Sequence, residues 1–577
     1  MIVQASIKPG AYYDSITLMR ASLELLEVPG VEDVALWMGT QASKGILATA
    51  GLLTPEAQAA AAEDLVIVVK AKDADAAQAA LAQADEILAR RRRRLEEAYR
   101  PKSLESATQA MPDAQWVLVS VPGRYAAGVA RQALRLGKHV FLYSDNVSLD
   151  DETALKGTAA EKGLLVMGPD CGTAIVNGVG LGFANRVRRG PIGLVAASGT
   201  GSQQVSARIH HLGGGITHAL GTGGRDLSQA VGAVTARQGL DLLSRDPETQ
   251  VIALISKPPS PHVANELLTA ARSAGKPVVV DFIGHSPPAR QVDNLHFAAT
   301  LDEAAELAVE LAGPRTKDER RKTNGLDKGV DLSRFAPGQR YLRGLFSGGT
   351  LAYEALLILQ GYLPAVYSNV PLDKEHRLAD SLASQAHTIV DLGEDEFTVG
   401  RLHPMMDNDL RIRRLQQEAD DPEVAVLLLD VVLGYGAHPD PAGELGPAIA
   451  NARARAGEAG RHLEVVAVLV GTDEDPQGFD AQVQQLEAAG AKVETSNDAA
   501  VRYAGRLLQA LNPPSTLQPP TPVDLSVLHQ PLAAINVGLE SFTDSLMAQG
   551  AAVIQVDWRP PAGGDERLMA ILERMRG

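Results

Sequence analysis

Two stretches of the chain carry the same junction, and that repetition constrains the fold more than any other feature. "VAASGTGSQQV", Val195 to Val205, and "LRGLFSGGTLAYEALL", Leu342 to Leu357, each run an apolar strand into a Ser-Gly turn and then into a helical pattern. Behind the first come "DPETQVIALISKPP" and "KPVVVDFIG"; behind the second, in the same order, come "DPEVAVLLLDVVLGYG" and "LEVVAVLVGTDEDPQG". Three matched features in one order predict a divergent internal duplication. The apolar runs are continuous rather than alternating, as strands buried on both faces of a parallel sheet require. The expected fold class is α/β, with several doubly wound, Rossmann- or flavodoxin-like domains.

The same rhythm begins earlier, at Gln115, with "WVLVSV", "YAAGVARQALRLG" and "HVFLYS". Before it, "IVQASI", "SITLMRASLELLEV", "VEDVALWM" and "DLVIVV" alternate strand and helix patterns and predict a small α+β unit of ferredoxin-like kind. The 577 residues exceed one core and suggest roughly three to five domains. The reading is an α+β unit over 1–104, a partial Rossmann domain over 105–189, a first repeat domain over 190–313 and a polar linker over 314–340. A second repeat domain over 341–512 follows, then a Pro-rich linker with a strand-helix-strand tail over 513–577. The tail is too short for a core of its own and is expected to pack on another domain or a partner.

A formal net charge of −16 argues against a surface built for nucleic acid or an anionic membrane, while leaving local anion sites open. The run "ARRRRRLEEAYR", Ala89 to Arg100, reads as a solvated helix face. One cysteine, Cys171, excludes an internal disulfide or a multi-cysteine metal site, and no metal spacing such as HExxH appears. There is no signal-peptide pattern and no window of about 18 consecutive apolar residues. The expectation is a cytoplasmic protein.

In a parallel α/β unit, ligands bind at the carboxyl ends of strands, where helix N-terminal N–H groups attract anions. Ser198, Gly199, Thr200 and Gly201 sit at such an end, and so do Ser347, Gly348, Gly349 and Thr350. Either turn alone also suits a plain helix cap; both together suggest one cleft holding a phosphoryl group between two helix starts. In "GTGGRDLS", Gly223 and Gly224 permit a tight turn and Arg225 is a candidate for a carboxylate or phosphate, the alternative being an Arg-Asp salt bridge. In "MGPDCGTAIVNG", Asp170 and Cys171 are expected to be exposed in a strand-end loop, with Cys171 lacking a nearby base. His210 and His211 fall in a helical stretch, and His285, His403 and His438 in loops after strands.

These residues resemble a known family. Gln115 to about Gly313 is similar to the α subunit of succinyl-CoA synthetase, through "VPGRYAAGVARQALRLGKHV", "LLVMGPDCGTAIVNG" and "GPIGLVAASGT". Arg343 to about Leu511 resembles the carboxyl-terminal ligase domain of the β subunit. The whole order, with "FSGGTLAYEA", "GRLHPMMD" and "INVGLESF", resembles the FdrA family. In the synthetases a phosphohistidine lies between two helix N-termini, which the resemblance maps onto Ser198 to Gly201 and Ser347 to Thr350. The departures are specific: "FIGHSPPARQVDNLHF" has neither the Gly-His-Ala nor the Thr-Ala-Pro of the synthetases, so His285 matches by place and not by motif. The Gly-rich CoA fingerprint and the ATP-grasp domain are missing. FdrA members are associated with allantoin breakdown, in a multisubunit oxamate carbamoyltransferase that interconverts carbamoyl phosphate and oxamate with oxalurate and phosphate. The resemblance thus implies a carbamoyltransferase subunit with carbamoyl phosphate or phosphate, a small carboxylate and other protein subunits as partners. Arg225 and Lys257 are candidates to hold the carboxylate, and His285 is a further catalytic candidate. The alternatives are an acyl-CoA ligase, with CoA or a nucleotide as cofactor, and a noncatalytic scaffold.

Overall fold

The computed structural model describes residues 1–11, 13, 15–96, 101–285, 289–313, 331–398, 401–512, 524 and 526–558. Two units divide the chain, Met1–Asn512 and Pro513–Gly577. In the first unit, four sheets follow one another along the sequence.

Strands Ile2–Lys8, Val31–Met38 and Leu65–Ala71 form an antiparallel sheet in the order first, third, second. That is a ferredoxin-like order without a fourth strand among the described residues. Strand Val31–Met38, at one edge, is apolar on both sides because both its faces are covered. Val34 and Leu36 join the cluster under helices Ser15–Leu26 and Ala74–Glu96, while Ala35 and Trp37 pack into the core of the last α/β domain. Arg90–Arg94 lie on the Ala74–Glu96 helix, but their side chains and residues 97–100 fall outside the described residues.

A small parallel sheet, Trp116–Val119, His139–Leu142 and Val166–Met167, packs on helices Gly123–Arg135 and Leu149–Glu161. Next, Arg189–Ala197, Ile216–Gly221, Val251–Ser256, Val278–Phe282 and Leu295–Phe297 run parallel in an eight-stranded sheet, which also takes in Thr173–Val176 and Val179–Gly182 at one edge. The last sheet has six strands, all parallel, with Tyr341–Phe346 between Thr388–Asp391 and Val424–Val432. Fold class is as the sequence implies: α/β with parallel sheets and a small N-terminal unit.

One apolar cluster spans the last two sheets. Val205, Ile209, Ala304 and Ala308 from one side meet Leu351, Ala355, Ala504 and Leu508 from the other. Four helices, Gly199–His211, Leu301–Leu311, Gly349–Leu359 and Asn497–Leu511, therefore form a shared layer. Small residues on these helices let the backbones approach closely, and this positions the two repeated turns against each other. Among the described residues no helix is long and apolar enough to cross a membrane.

In the second unit, Ala533–Val537 and Ala552–Val556 pair in parallel beside helix Glu540–Ala548. Alternate residues Ile535, Val537 and Ile554 are exposed, so this strand-helix-strand piece leaves one sheet face uncovered in its own unit.

Candidate active site

Strand Arg189–Ala197 ends at Ser198, whose side chain caps the next helix by accepting the Gly201 N–H at 2.9 Å. Strand Tyr341–Phe346 ends at Ser347, and its helix is capped one residue later, at Gly348. Matching the helix starts pairs Ser198 with Gly348, Gly199 with Gly349 and Thr200 with Thr350. The turns meet in this register: Ser198 Oγ lies 2.6 Å from Thr350 Oγ1, and a methyl group on Gly348 would collide with Thr200, coming to 2.8 Å from its Oγ1. The two helix starts converge at one buried point, with Ser198, Thr200, Ser347 and Thr350 all buried. Each helix directs its partial positive end there.

The turns differ in what they already hold. Ser347 donates its N–H to Asp430 at 2.7 Å and its hydroxyl to both Asp430 oxygens at 3.0 Å, and the Gly348 amide also turns to this carboxylate. Asp430 pairs in turn with Arg411. Burial pushes the Asp430 carboxyl up, against the pull of Arg411 and the Ser347 bonds. Ser347 and Gly348 are thus committed to an internal anion, and an incoming anion meets the second helix at Gly349 and Thr350.

Gly349 faces the chemistry. A methyl group there would collide with Asp391 Oδ2 and come within 2.8 Å of Lys257 Nζ, so only glycine leaves this gap open. Lys257 follows strand Val251–Ser256; Asp391 ends strand Thr388–Asp391. Burial pushes Asp391 up to about 7, with Lys257 pulling against it and Glu394 adding repulsion. Asp170 is likewise pushed up to about 7, by desolvation and then by Asp145, again with Lys257 opposing. Asp170 is exposed, as the sequence predicts, so the crevice is open at this end. One ammonium that acts on two carboxyls titrating near neutrality is an arrangement for moving a proton beside an anion.

His403 closes the far side. Its Nδ1 accepts the Met405 N–H at 3.2 Å, which places the ring proton on Nε2, and Nε2 would lie 3.0 Å from a methyl on Gly393, next to Asp391 Oδ1. Burial lowers its pKa to about 4, so the ring is neutral.

The remaining sequence candidates are placed elsewhere or otherwise. Gly223 packs on the Pro169 carbonyl in the left-handed region, at φ +87°, where a side chain would be strained; Gly224 lies beside Asp170. Arg225 bonds Glu152 through Nε at 3.0 Å and the Val147 carbonyl through Nη2 at 2.8 Å, with its side chain half exposed. The alternative Arg-Asp pair is not formed among the described residues: Asp226 instead pairs with buried Lys156 and caps helix Val234–Arg245 at the Ala236 N–H. Cys171, expected at the surface, is buried with 2% exposure, and burial pushes its thiol up to about 12. The loop folds inward to place it against Gly221, so the thiol is inert. His285 is exposed, edge-to-face with Phe282, and among the described residues no hydrogen bond or ion pair joins it to either turn. His210 bonds Asp473 at 2.7 Å and ties the two α/β domains together. His438 pairs with Glu444 at 3.1 Å.

Residues 345–507 match the CoA-ligase family model, 188–284 the CoA binding domain, and 1–103 the domain described as AllF, heavy metal-associated domain. The uncharacterized protein YahF of Escherichia coli is 44% identical over 498 residues, covering 86% of this chain and 97% of that protein. The chain belongs to the YahF family. This YahF-family chain is also 27% identical to the malate–CoA ligase subunit alpha of Methylorubrum extorquens, over 32% of its own length and 64% of that subunit. Against the succinate–CoA ligase subunit alpha 2 of Archaeoglobus fulgidus it is again 27% identical, over 35% of its length and 72% of that subunit. PH0766 of Pyrococcus horikoshii aligns at a TM-score of 0.32 and 14% identity, covering 72% of this chain and 87% of that one, so the fold assignment stands on the sheet topology itself. The matched domains are those of CoA-ligase-type enzymes.

Two groups that these names imply do not fit. Residues 1–103 contain neither cysteine nor histidine, so the N-terminal domain has no thiolate or imidazole to hold a heavy metal. At Gly123, where the first Rossmann helix begins, the carbonyl oxygens of Asp145 and Asn146 crowd the turn, the latter 2.6 Å from where a methyl would stand. Carbonyl oxygens there repel a phosphate, and the turn does not suit a CoA pyrophosphate.

Asp391, Asp430 and His403 were not legible as a site in the sequence. Each is a single residue at a strand end or loop, joined to Lys257 and Gly349 only by the folding of distant segments.

Proposed function

We propose that this chain is a carbamoyltransferase subunit of the oxamate type, a member of the FdrA group within the YahF family. It interconverts carbamoyl phosphate and oxamate with oxalurate and phosphate in allantoin and purine nitrogen breakdown. The observation that carries the reading is the gap at Gly349, where a helix start that abuts its repeat and Lys257 face a carboxyl that titrates near pH 7. The likeness of residues 1–103 to the AllF domain supports an allantoin context.

In the forward direction the oxamate amide nitrogen attacks the carbamoyl carbon and gives up a proton to Asp391. The bond from that carbon to the bridging oxygen breaks, and its electron pair leaves with phosphate. Lys257 and the Gly199 and Gly349 helix starts meet the growing charge, a stabilisation that acts where charge develops. The proton held on Asp391 then passes to phosphate or water. The exposed side of Arg225 is left to hold the oxamate carboxylate, with Glu152 and the Val147 carbonyl fixing its orientation. No step uses His285.

The matches to CoA-ligase domains favour a second reading, an acyl-CoA ligase. Both are tested by supplying the chain, with the products of neighbouring genes, either carbamoyl phosphate and oxamate or ATP, CoA and a small acid. Oxalurate with equimolar phosphate is expected. CoA thioester with labelled phosphate on His285 would establish the ligase reading instead. Unchanged turnover in Lys257→Gln would leave this chain a scaffold.

A further inference from the structure

A cavity of about 240 Å³ lies between the N-terminal domain and the last α/β domain. Leu18, Leu36 and Trp37 give it an apolar wall, and Arg401 and Asp407 stand at its polar end. The Arg401 side chain is only 4% exposed. Its guanidinium lies over the Trp37 ring, 4.1 Å from the centroid, and Nη2 reaches Asp409 at 3.3 Å, but among the described residues Nη1 has no hydrogen-bond partner. Stacking on an indole fixes the plane of a guanidinium without satisfying its N–H groups, and a buried donor left unmet is costly.

Asp407 is the complementary case. Its Oδ1 accepts the Asp409 N–H at 2.9 Å, and among the described residues it forms no ion pair. Burial pushes its pKa up while Arg401 pulls it down, so the two groups feel each other across a gap without joining. The other charges nearby are answered: Arg413 holds Asp33 and Asp409, and His438 holds Glu444.

We propose that this interdomain cavity is a second ligand site, for an α-amino acid with an apolar side chain. The carboxylate bonds Arg401 Nη1, the ammonium bonds Asp407, and the side chain lies against Leu18, Leu36 and Trp37. A simple anion would leave Asp407 unanswered and a simple amine would leave Nη1 unanswered; a zwitterion meets both and adds no net charge to a desolvated place. The volume falls below the range of about 300–1,000 Å³ usual for drug-sized ligands and suits a molecule of this size.

The test uses the full chain carrying Trp116→Phe and Trp558→Phe, so that Trp37 alone reports, titrated with L-valine, L-leucine, L-methionine and L-phenylalanine. At least one is expected to change Trp37 emission saturably. For leucine, 4-methylpentanoate lacks only the ammonium and 3-methylbutylamine only the carboxylate. Each analogue, and Arg401→Gln, is expected to weaken binding by about tenfold or more. Ser22→Phe fills the cavity while leaving Arg401 and Asp407 in place, and is expected to remove the response even if Arg401→Gln proves poorly folded. No saturable response to any of the four, equal binding of the truncated analogues, or a response that survives Ser22→Phe would overturn the proposal. Carbamoyl transfer at the junction does not depend on this outcome.

Discussion

At matched places around the junction the first α/β domain presents Ser198, Gly199, Thr200 and Gln204, and the second presents Gly348, Gly349, Thr350 and Glu354. Strand register extends the comparison. Gly221 pairs with Ala196 as Asp391 pairs with Phe346, and Lys257 follows its strand where Val432 stands in the other. Asp430 takes the place of Ile255 by the same register. The duplicated backbone supplies two opposed helix starts, and the charged groups are divided between the copies. The first contributes the ammonium; the second contributes the proton-accepting carboxyl and an internal anion. A symmetric pair of turns would hold a symmetric ligand, whereas this division suits a reaction with distinct entering and leaving groups.

Making the second copy like the first at its most reactive position has the largest expected effect. Asp391→Asn is expected to lower kcat by about 10²- to 10⁴-fold, the range for loss of a general base. It also tests the pH sign. The raised pKa means that Asp391 is protonated below about 7, so wild-type turnover rises as pH passes upward through about 7, and the variant loses this limb.

Asp430→Asn comes next and acts on stability. It leaves the Arg411 guanidinium, 3% exposed, without its carboxylate, and breaking a buried pair this way costs about 3–5 kcal/mol. Urea unfolding is expected to show a loss of that size, whereas Ile255→Val in the other copy costs about 1 kcal/mol.

A smaller, pH-dependent effect belongs to Glu354, buried where the first copy has Gln204. Burial pushes Glu354 up to about 7, against bonds from Asn497 at 2.8 Å and the Leu301 N–H at 2.9 Å. A folded pKa above the unfolded value of 4.5 means stability that is full below about 4.5 and is lost as pH rises through about 7. Glu354→Gln is therefore expected to raise the unfolding free energy at pH 8 by an amount on the order of 3 kcal/mol, and to change little at pH 4. Asn497 Oδ1, which has no hydrogen-bond partner among the described residues, can accept from the new amide after a flip. The smallest effect is at Ser198→Ala, which loses one helix cap and the bond to Thr350, about 1–2 kcal/mol.

The sequence made the sheets and the meeting of the two turns legible because both rest on local, repeated signals: continuous apolar strands, a Ser-Gly stop and a helix. It misaligned the copies by one residue, since Ser347 looks like Ser198, while the helix cap falls at Gly348. Ser347 instead serves Asp430, a bond between distant strands that no spacing reveals. Asp391 and His403 escaped for the same reason. Cys171 was misjudged because a strand-end loop reads as exposed, and here the loop after Met167 turns inward so that Gly221 and Gly223 pack on its backbone and on Cys171. Lys257 was found as a charged residue after a strand, without its carboxyl neighbours.

The most direct test of the divided junction compares Gly349→Ala with Gly199→Ala, following transfer of ¹³C-labelled carbamoyl phosphate to oxamate by NMR in the complete complex. At Gly199 an added methyl meets Thr173 at an ordinary 3.6 Å; at Gly349 it forces Asp391 and Lys257 apart. The account predicts near wild-type oxalurate formation in Gly199→Ala and a loss of about a hundredfold or more in Gly349→Ala, with both variants folded. Equal activity in the two variants would contradict it.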